Sequence, residues 1–134
     1  MAGTYWNCRN LTTPVCGDSV INMSSAYSDC VNLTSAACGN NVKFMNYTYY
    51  NCKNIINAIC GPNVIDMVNT YGECSNLKEA ACGDNVINMR NTYVYCYNLT
   101  SAACGNNVID MSDAYYACSN LIEPACGPNV INMY

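Results

Sequence analysis

Cysteine is the residue of this chain with the widest chemical reach: twelve of them run from Cys8 to Cys126, spaced alternately by eight and fourteen. At that density a short chain reads either as a disulfide framework or as columns of packed thiols. One bridge per turn of chain, such as Cys74–Cys82, would suit an oxidising compartment. Reduced thiols packing as small hydrophobes suit the same spacing, which does not separate the two. Metal ligation fits less well, because there is no C-x-x-C pair and no histidine. The missing histidine also removes Ser–His and Cys–His nucleophiles. The nine acids, Asp18, Asp29, Asp66, Glu73, Glu79, Asp84, Asp110, Asp113 and Glu123, fall mainly at variable positions. Glu79 with Asp84 is a conceivable carboxylate pair, but the matching positions in neighbouring repeats hold Asn57, Pro62, Ser101 and Asn106. The acids therefore read as solvated charge, and the expectation is a non-enzyme with no cofactor and no metal.

Charge and composition bound the rest. Arg9, Lys43, Lys53, Lys78 and Arg90 are the only basic residues, and a net charge of −4 offers phosphate no footprint, which argues against nucleic acid. No apolar run approaches the ~20 residues of a bilayer span, and no signal-peptide pattern opens the chain. At 134 residues and 51% hydrophobic content the chain has the size and apolar content of one domain.

The elements that must position these residues follow from repetition. Every methionine (1, 23, 45, 67, 89, 111 and 133) sits on a 22-residue period, shared by Tyr5, Tyr27, Tyr49, Tyr71, Tyr93 and Tyr115. A unit this short cannot bury its own apolar face and must stack on copies of itself, so residues 1–134 read as one solenoid of six coils. Against the leucine-rich-repeat pattern L-x-x-L-x-L-x-x-N-x-L, Leu77, Ala80, Cys82, Asn85 and Ile87 take the five diagnostic slots. Asn41, Asn63, Asn85, Asn107 and Asn129 fill the asparagine slot, with Ser19 in the first copy, and predict a ladder of buried amides. Cys16, Cys38, Cys60, Cys82, Cys104 and Cys126, with Met23, Met45, Met67, Met89 and Met111, are expected in the core.

Alternation around Ala80 and Cys82 predicts one short parallel strand per coil. Val86, Met89, Tyr93 and Cys96, spaced by three, four and three, predict a short helix or successive helical turns on the opposite side. Gly17, Gly39, Gly61, Gly83, Gly105 and Gly127 stand where the strand leaves the sheet, a matter of backbone geometry rather than phosphate binding. The rival is an all-helical repeat opened by a capping box at Asn76-Leu77-Lys78-Glu79, but Pro14 and Pro124 fall inside its barely two turns. The fold expected is an α/β solenoid: a leucine-rich-repeat right-handed superhelix with a parallel β-sheet on the concave face and short helical turns on the convex face.

Asn22-Met23-Ser24, Tyr27, Cys30 and Asn32-Leu33-Thr34-Ser35 resemble the N-V-x-N-M-S-x-x-[FY]-x-x-C-x-x-L-T-S signature of the BspA-like leucine-rich-repeat surface proteins. The likeness runs end to end, with the segment after the signature shortened to Ala36-Ala37-Cys38-Gly39-Asn40. It implies an adhesion or recognition scaffold at a cell surface, extracellular or virion-associated, as part of a longer protein. It brings no catalytic residue with it.

Candidate partners are a protein or a glycan. Trp6, Tyr47, Tyr50, Tyr95, Tyr97 and Tyr116 occupy variable outward positions and supply area with a polar handle. On the sheet face Glu79 and Glu123 share a column with Thr13, Ser35, Asn57 and Ser101; its lack of a regular Thr ladder leaves a disulfide-laddered secreted protein with an ice- or mineral-binding face as the weaker alternative. The tyrosines on the 22-residue period share a stripe with Met and Cys and are assigned to the core. Lys43 and Phe44 break their columns, replacing an aliphatic core residue and a polar surface one, so that coil is expected to shift or to expose Phe44. Asn10, Asn22, Asn32, Asn46 and Asn98 meet the glycosylation sequon, but Asn32 and Asn98 belong to a column of asparagine in all six coils, which favours a turn role. Both ends are in phase with the repeat and lack polar caps, so the chain reads as a block of a longer or engineered array, and end-to-end self-association is the structural alternative.

Overall fold

The computed structural model describes residues 1–134 and is a stack of six coils, numbered here by their tyrosines from Tyr5 to Tyr115. Each coil is a chain of tight turns joined by short extended links, and no helix forms. The fourth coil shows the plan. Thr70 N donates to Met67 O and Cys74 N to Tyr71 O, Leu77 N turns back to Cys74 O, and Val86 N to Gly83 O. Between those corners the chain runs extended and meets its neighbours in isolated parallel bridges.

One bridge column runs through Asn22, Phe44, Asp66, Asn88, Asp110 and Asn132, and a shorter one through Asn57, Glu79 and Ser101. The strand expected around Ala80 is thus reduced to isolated bridges that join Asn57, Glu79 and Ser101, in three of the six coils. The longer ladder lies nine residues further on, in a stretch the 3-4-3 spacing had assigned to the start of a helical segment. Lys43 and Phe44 cause no shift, since Phe44 bridges both Asn22 and Asp66.

The stripe Val86, Met89, Tyr93 and Cys96 is fully buried as its spacing demands, yet its backbone is not helical. The reason lies in where the N–H groups go. Met89, Asn91, Tyr93 and Tyr95 donate to Asp110, Ser112, Ala114 and Tyr116 of the next coil, while Thr92, Val94 and Cys96 donate three residues back. An α-helix needs every N–H within its own segment; here alternate ones are committed to stacking. Reversing direction so tightly forces two residues per coil to positive φ, for example Asn69 and Glu73 or Asn91 and Tyr95.

Five apolar columns make up the core. Met23, Tyr27, Cys30, Leu33 and Val42, with their counterparts to Val108, lose all or nearly all contact with solvent, each large aliphatic contributing about 2 kcal/mol of burial. Tyrosine rings stack on the rings of adjoining coils at 5.2 to 5.9 Å with nearly parallel planes. From Tyr27 to Tyr115 each phenol bonds to backbone twelve residues earlier: Tyr71 OH donates to Ile59 O at 2.9 Å and accepts from Ile59 N at 3.0 Å. Buried Thr48, Thr70 and Thr92 donate to the carbonyls of Met23, Met45 and Met67 one coil back.

Four expectations are corrected. The fully buried thiols are Cys30, Cys52, Cys74 and Cys96, whereas Cys16, Cys38, Cys60, Cys82 and Cys104 are half-buried at the edge of the core and Cys126 is exposed. Asn41, Asn63, Asn85, Asn107 and Asn129 are exposed, yet each Nδ2 donates to a carbonyl of the preceding coil at 2.8 to 2.9 Å, so the ladder exists at the surface. Ile87, placed in an apolar slot of the repeat pattern, is 46% exposed, because Val86 beside it takes the interior position. Lys43 therefore replaces a mostly exposed isoleucine, not a core one.

Candidate functional site

All twelve cysteines are free. Cys74 Sγ–H donates to Tyr49 O at 3.1 Å and Cys82 Sγ–H to Gly83 O at 3.5 Å, so the two thiols of a coil are engaged with separate backbone carbonyls and form no bridge. Burial raises these groups from the ordinary 9.0: Cys38 and Cys118 to about 11, Cys82 to about 12, and Cys52, Cys74 and Cys96 upward as well. Thiols held protonated and packed are poor nucleophiles and poor metal ligands. No group of three Cys, Asp or Glu side chains is placed to hold a metal. Glu79 stands exposed in the short bridge column, and Asp84 lies at a corner where it accepts from the Asn106 backbone N–H at 3.3 Å.

The concentration of exposed aromatic and charged side chains is at the double turn that brackets each core tyrosine. Two columns there take positive φ: Gly3, Ser25, Tyr47, Asn69, Asn91, Asp113, and Asn7, Asp29, Asn51, Glu73, Tyr95, Ala117. Asn, Asp and Gly tolerate this conformation; a bulky side chain enters it only at a cost. Tyr47 and Tyr95 occupy it nonetheless, 43% and 39% exposed.

Between the columns the side chains interlock across coils. Trp6 Nε1 donates to Asp29 Oδ2 at 3.1 Å, and Asn51 Nδ2 donates to Asp29 Oδ1 at 2.8 Å. Tyr50 OH donates to Glu73 Oε1, and that bond, ahead of burial, lifts the phenol to about 12. Tyr50 also packs against Tyr47 with ring centroids 5.7 Å apart. Tyr95 meets Tyr97 at 6.1 Å with planes inclined by 48°, and meets Tyr116 edge-on at 5.7 Å.

These rings border an open cleft of about 420 Å³ lined by Lys53, Glu73, Ser75, Tyr95 and Tyr97, crossing coils three, four and five. The structure thus gathers Tyr95, Tyr97 and Tyr116 into one cluster and Tyr47 with Tyr50 into another, joined through Glu73. Trp6 lies on the same edge two coils before Tyr50. Glu79 and Glu123 do not line the cleft. Lys53, Glu73 and Ser75 are not among the binding residues expected from the sequence; the signal lies in their columns, where the side chain changes from almost every coil to the next. A second apolar groove, of about 430 Å³, lies over Met111, Ala114, Tyr115 and Met133 and continues the interior columns.

No protein-family model and no curated protein matches the sequence. Two solved structures share the fold. A leucine-rich-repeat protein from T. pallidum superposes with a TM-score of 0.68 at 13% identity, over 90% of this chain and 69% of its own. A leucine-rich-repeat protein from Bacteroides ovatus superposes with a TM-score of 0.65 at 14% identity, over 99% of this chain. The chain spans 42% of that protein's length. The fold is therefore that of a leucine-rich-repeat solenoid.

Proposed function

We propose that this chain is a non-enzymatic recognition scaffold, of the kind the BspA-like surface repeats represent, which binds a protein or glycan through its tyrosine-lined turn edge. One observation carries the reading. Interior columns repeat methionine, tyrosine and leucine with hardly a change, whereas the outward column Arg9, Val31, Lys53, Ser75, Tyr97, Ser119 and its neighbour through Tyr95 differ in every coil or nearly so. Stacking needs the first kind of column and is indifferent to the second, so the variety at the edge is free to serve recognition. Exposed tyrosine with adjoining carboxylate and ammonium is suited to it, since rigid rings give contact area at little entropic cost. The fold shared with leucine-rich-repeat proteins supports a binding scaffold.

A surface or extracellular setting belongs to the same proposal. Packing shields Cys30, Cys52, Cys74 and Cys96 from oxidants, so free thiols at those positions do not argue against such a setting. No helix of the chain is long and apolar enough to cross a membrane. The test is binding of the immobilised chain to whole cells and to arrays of glycans and extracellular proteins. Changing Tyr95, Tyr97 and Tyr116 together to Asn, Ser and Ser is expected to abolish the signal with the fold retained. Binding kept by that variant and lost on changing Glu79 and Glu123 to Ala would move recognition to the sheet face and refute the reading.

A further inference from the structure

We infer that the cleft across coils three to five is a subsite for a neutral oligosaccharide; this rests on the turn edge being the recognition surface. Its lining divides into two kinds of chemistry. Tyr95 and Tyr97, inclined at 48°, form an aromatic corner, and facing it are a carboxylate, a hydroxyl and an ammonium from Glu73, Ser75 and Lys53. A pyranose has the matching duality, with C–H groups that pack on an aromatic face and a rim of hydroxyls that both donate and accept.

Glu73 is held for this role. Tyr50 OH occupies its Oε1, which fixes the carboxylate and leaves Oε2 able to accept from a hydroxyl. Such preorganisation spares a ligand the cost of ordering the site.

The alternatives fit less well. An extended peptide docks by adding to a free backbone edge, but the N–H groups of Glu73 and Tyr95 are already bonded to Val94 O and Tyr116 O at 2.8 and 2.9 Å. An apolar peptide anchor wants a dry pocket, and three of the five lining residues are polar. An anionic sugar would meet Glu73 and a chain of net charge −4; a cationic one would meet Lys53.

The backbone adds an independent observation. Glu73 and Tyr95 take φ of +62° and +61° in a column whose other members include Asn7, Asp29 and Asn51, the residues that accept this conformation. A tyrosine there, 39% exposed, carries a conformational cost that an asparagine would not.

That cost supplies the variant for the test. Tyr95→Asn restores the residue type the column prefers and removes the ring, so loss of binding cannot be blamed on unfolding. The full chain is titrated with maltotriose, cellotriose, mannotriose and the trisaccharide of N-acetylglucosamine, followed by saturation-transfer NMR and calorimetry. A heparin hexasaccharide and an Arg-rich peptide serve as charged comparators. Saturable 1:1 binding of at least one neutral trisaccharide is expected. Tyr95→Asn is expected to weaken it by about tenfold or more with a melting temperature equal to or above the parent's. Glu73→Gln should weaken it several-fold, and the remote Ile109→Ala should leave it unchanged. Binding of no neutral sugar, or of a charged comparator alone, overturns the inference; if Tyr95→Asn then abolishes the comparator's binding, the recognition edge stands and only the sugar falls. A neutral sugar bound equally by Tyr95→Asn refutes the location.

Discussion

Tyr71 shows how one side chain serves several layers of this architecture. Its ring packs between those of Tyr49 and Tyr93, and its hydroxyl satisfies both the N–H and the C=O of Ile59 across the coil. A tyrosine column therefore does what a leucine column cannot: it fills the interior and also closes the hydrogen bonding of the opposite wall. Replacing Tyr71 with Phe keeps the stack but strands two half-buried backbone groups, so urea unfolding should report a loss of about 1–3 kcal/mol. An unchanged midpoint would mean the phenol is not a structural partner. Met67→Ala, which empties a fully buried position, should cost about 2–5 kcal/mol in the same measurement. Burial of the methionine and tyrosine columns is legible from the sequence because periodicity and apolar type point the same way; Cys82 and Ile87, just as periodic and apolar, show that the two signals do not separate a core position from the core's edge. The asparagine slot was misjudged because an amide can donate to the neighbouring coil from the surface as well as from the interior.

At the scale of the elements, the glycine column illustrates what periodicity does not reveal. None of the corner glycines has positive φ; their role is to let coils approach. A Cβ built at Gly39 would lie 2.6 Å from the carbonyl oxygen of Gly17, and one at Gly61 would lie 2.7 Å from Cys38 Sγ. Gly39→Ala must displace backbone and should destabilise by about 1–3 kcal/mol. In Gly61→Ala the nearest obstacle is a side chain, with Gly39 O next at 3.1 Å, so pairing it with Cys38→Ala should recover part of the loss; a double-variant cycle in urea measures this, and strictly additive losses would contradict the packing described. The helical segment was misread for a related reason. Spacings of three and four mark which residues turn inward, but they do not say whether N–H groups bond along the segment or across to the next coil. Only the stack decides that, through bonds such as Met89 N to Asp110 O.

Taken as a whole, the molecule buries columns of neutral acids, and this sets its response to pH. Folding raises the thiols of Cys38, Cys82 and Cys118 above 9.0, to about 11, 12 and 11, because burial disfavours the thiolate. An unfolded chain gives up those protons near 9.0, so the associated stability is complete below that pH and is lost as pH rises towards 11 to 12. The urea midpoint should accordingly hold steady through neutral pH and fall steeply above about 9, and a midpoint flat to 11 would contradict the burial of these thiols. The recognition edge belongs to this scale as well: the cleft joins residues from three coils that lie 20 to 44 positions apart in sequence, from Lys53 to Tyr97. It could be anticipated in its tyrosines, and not in Glu73 or Lys53, whose roles exist only once the coils are in register. That register is most directly measured by NMR on a sample with Tyr49 and Tyr71 ring protons selectively observed. Stacked rings with centroids 5.4 Å apart predict a strong cross-relaxation peak between residues 22 apart, and none from Tyr27 to Tyr93. Absence of the Tyr49–Tyr71 peak in the folded protein would show that like residues do not meet in adjacent coils, and the account would fail.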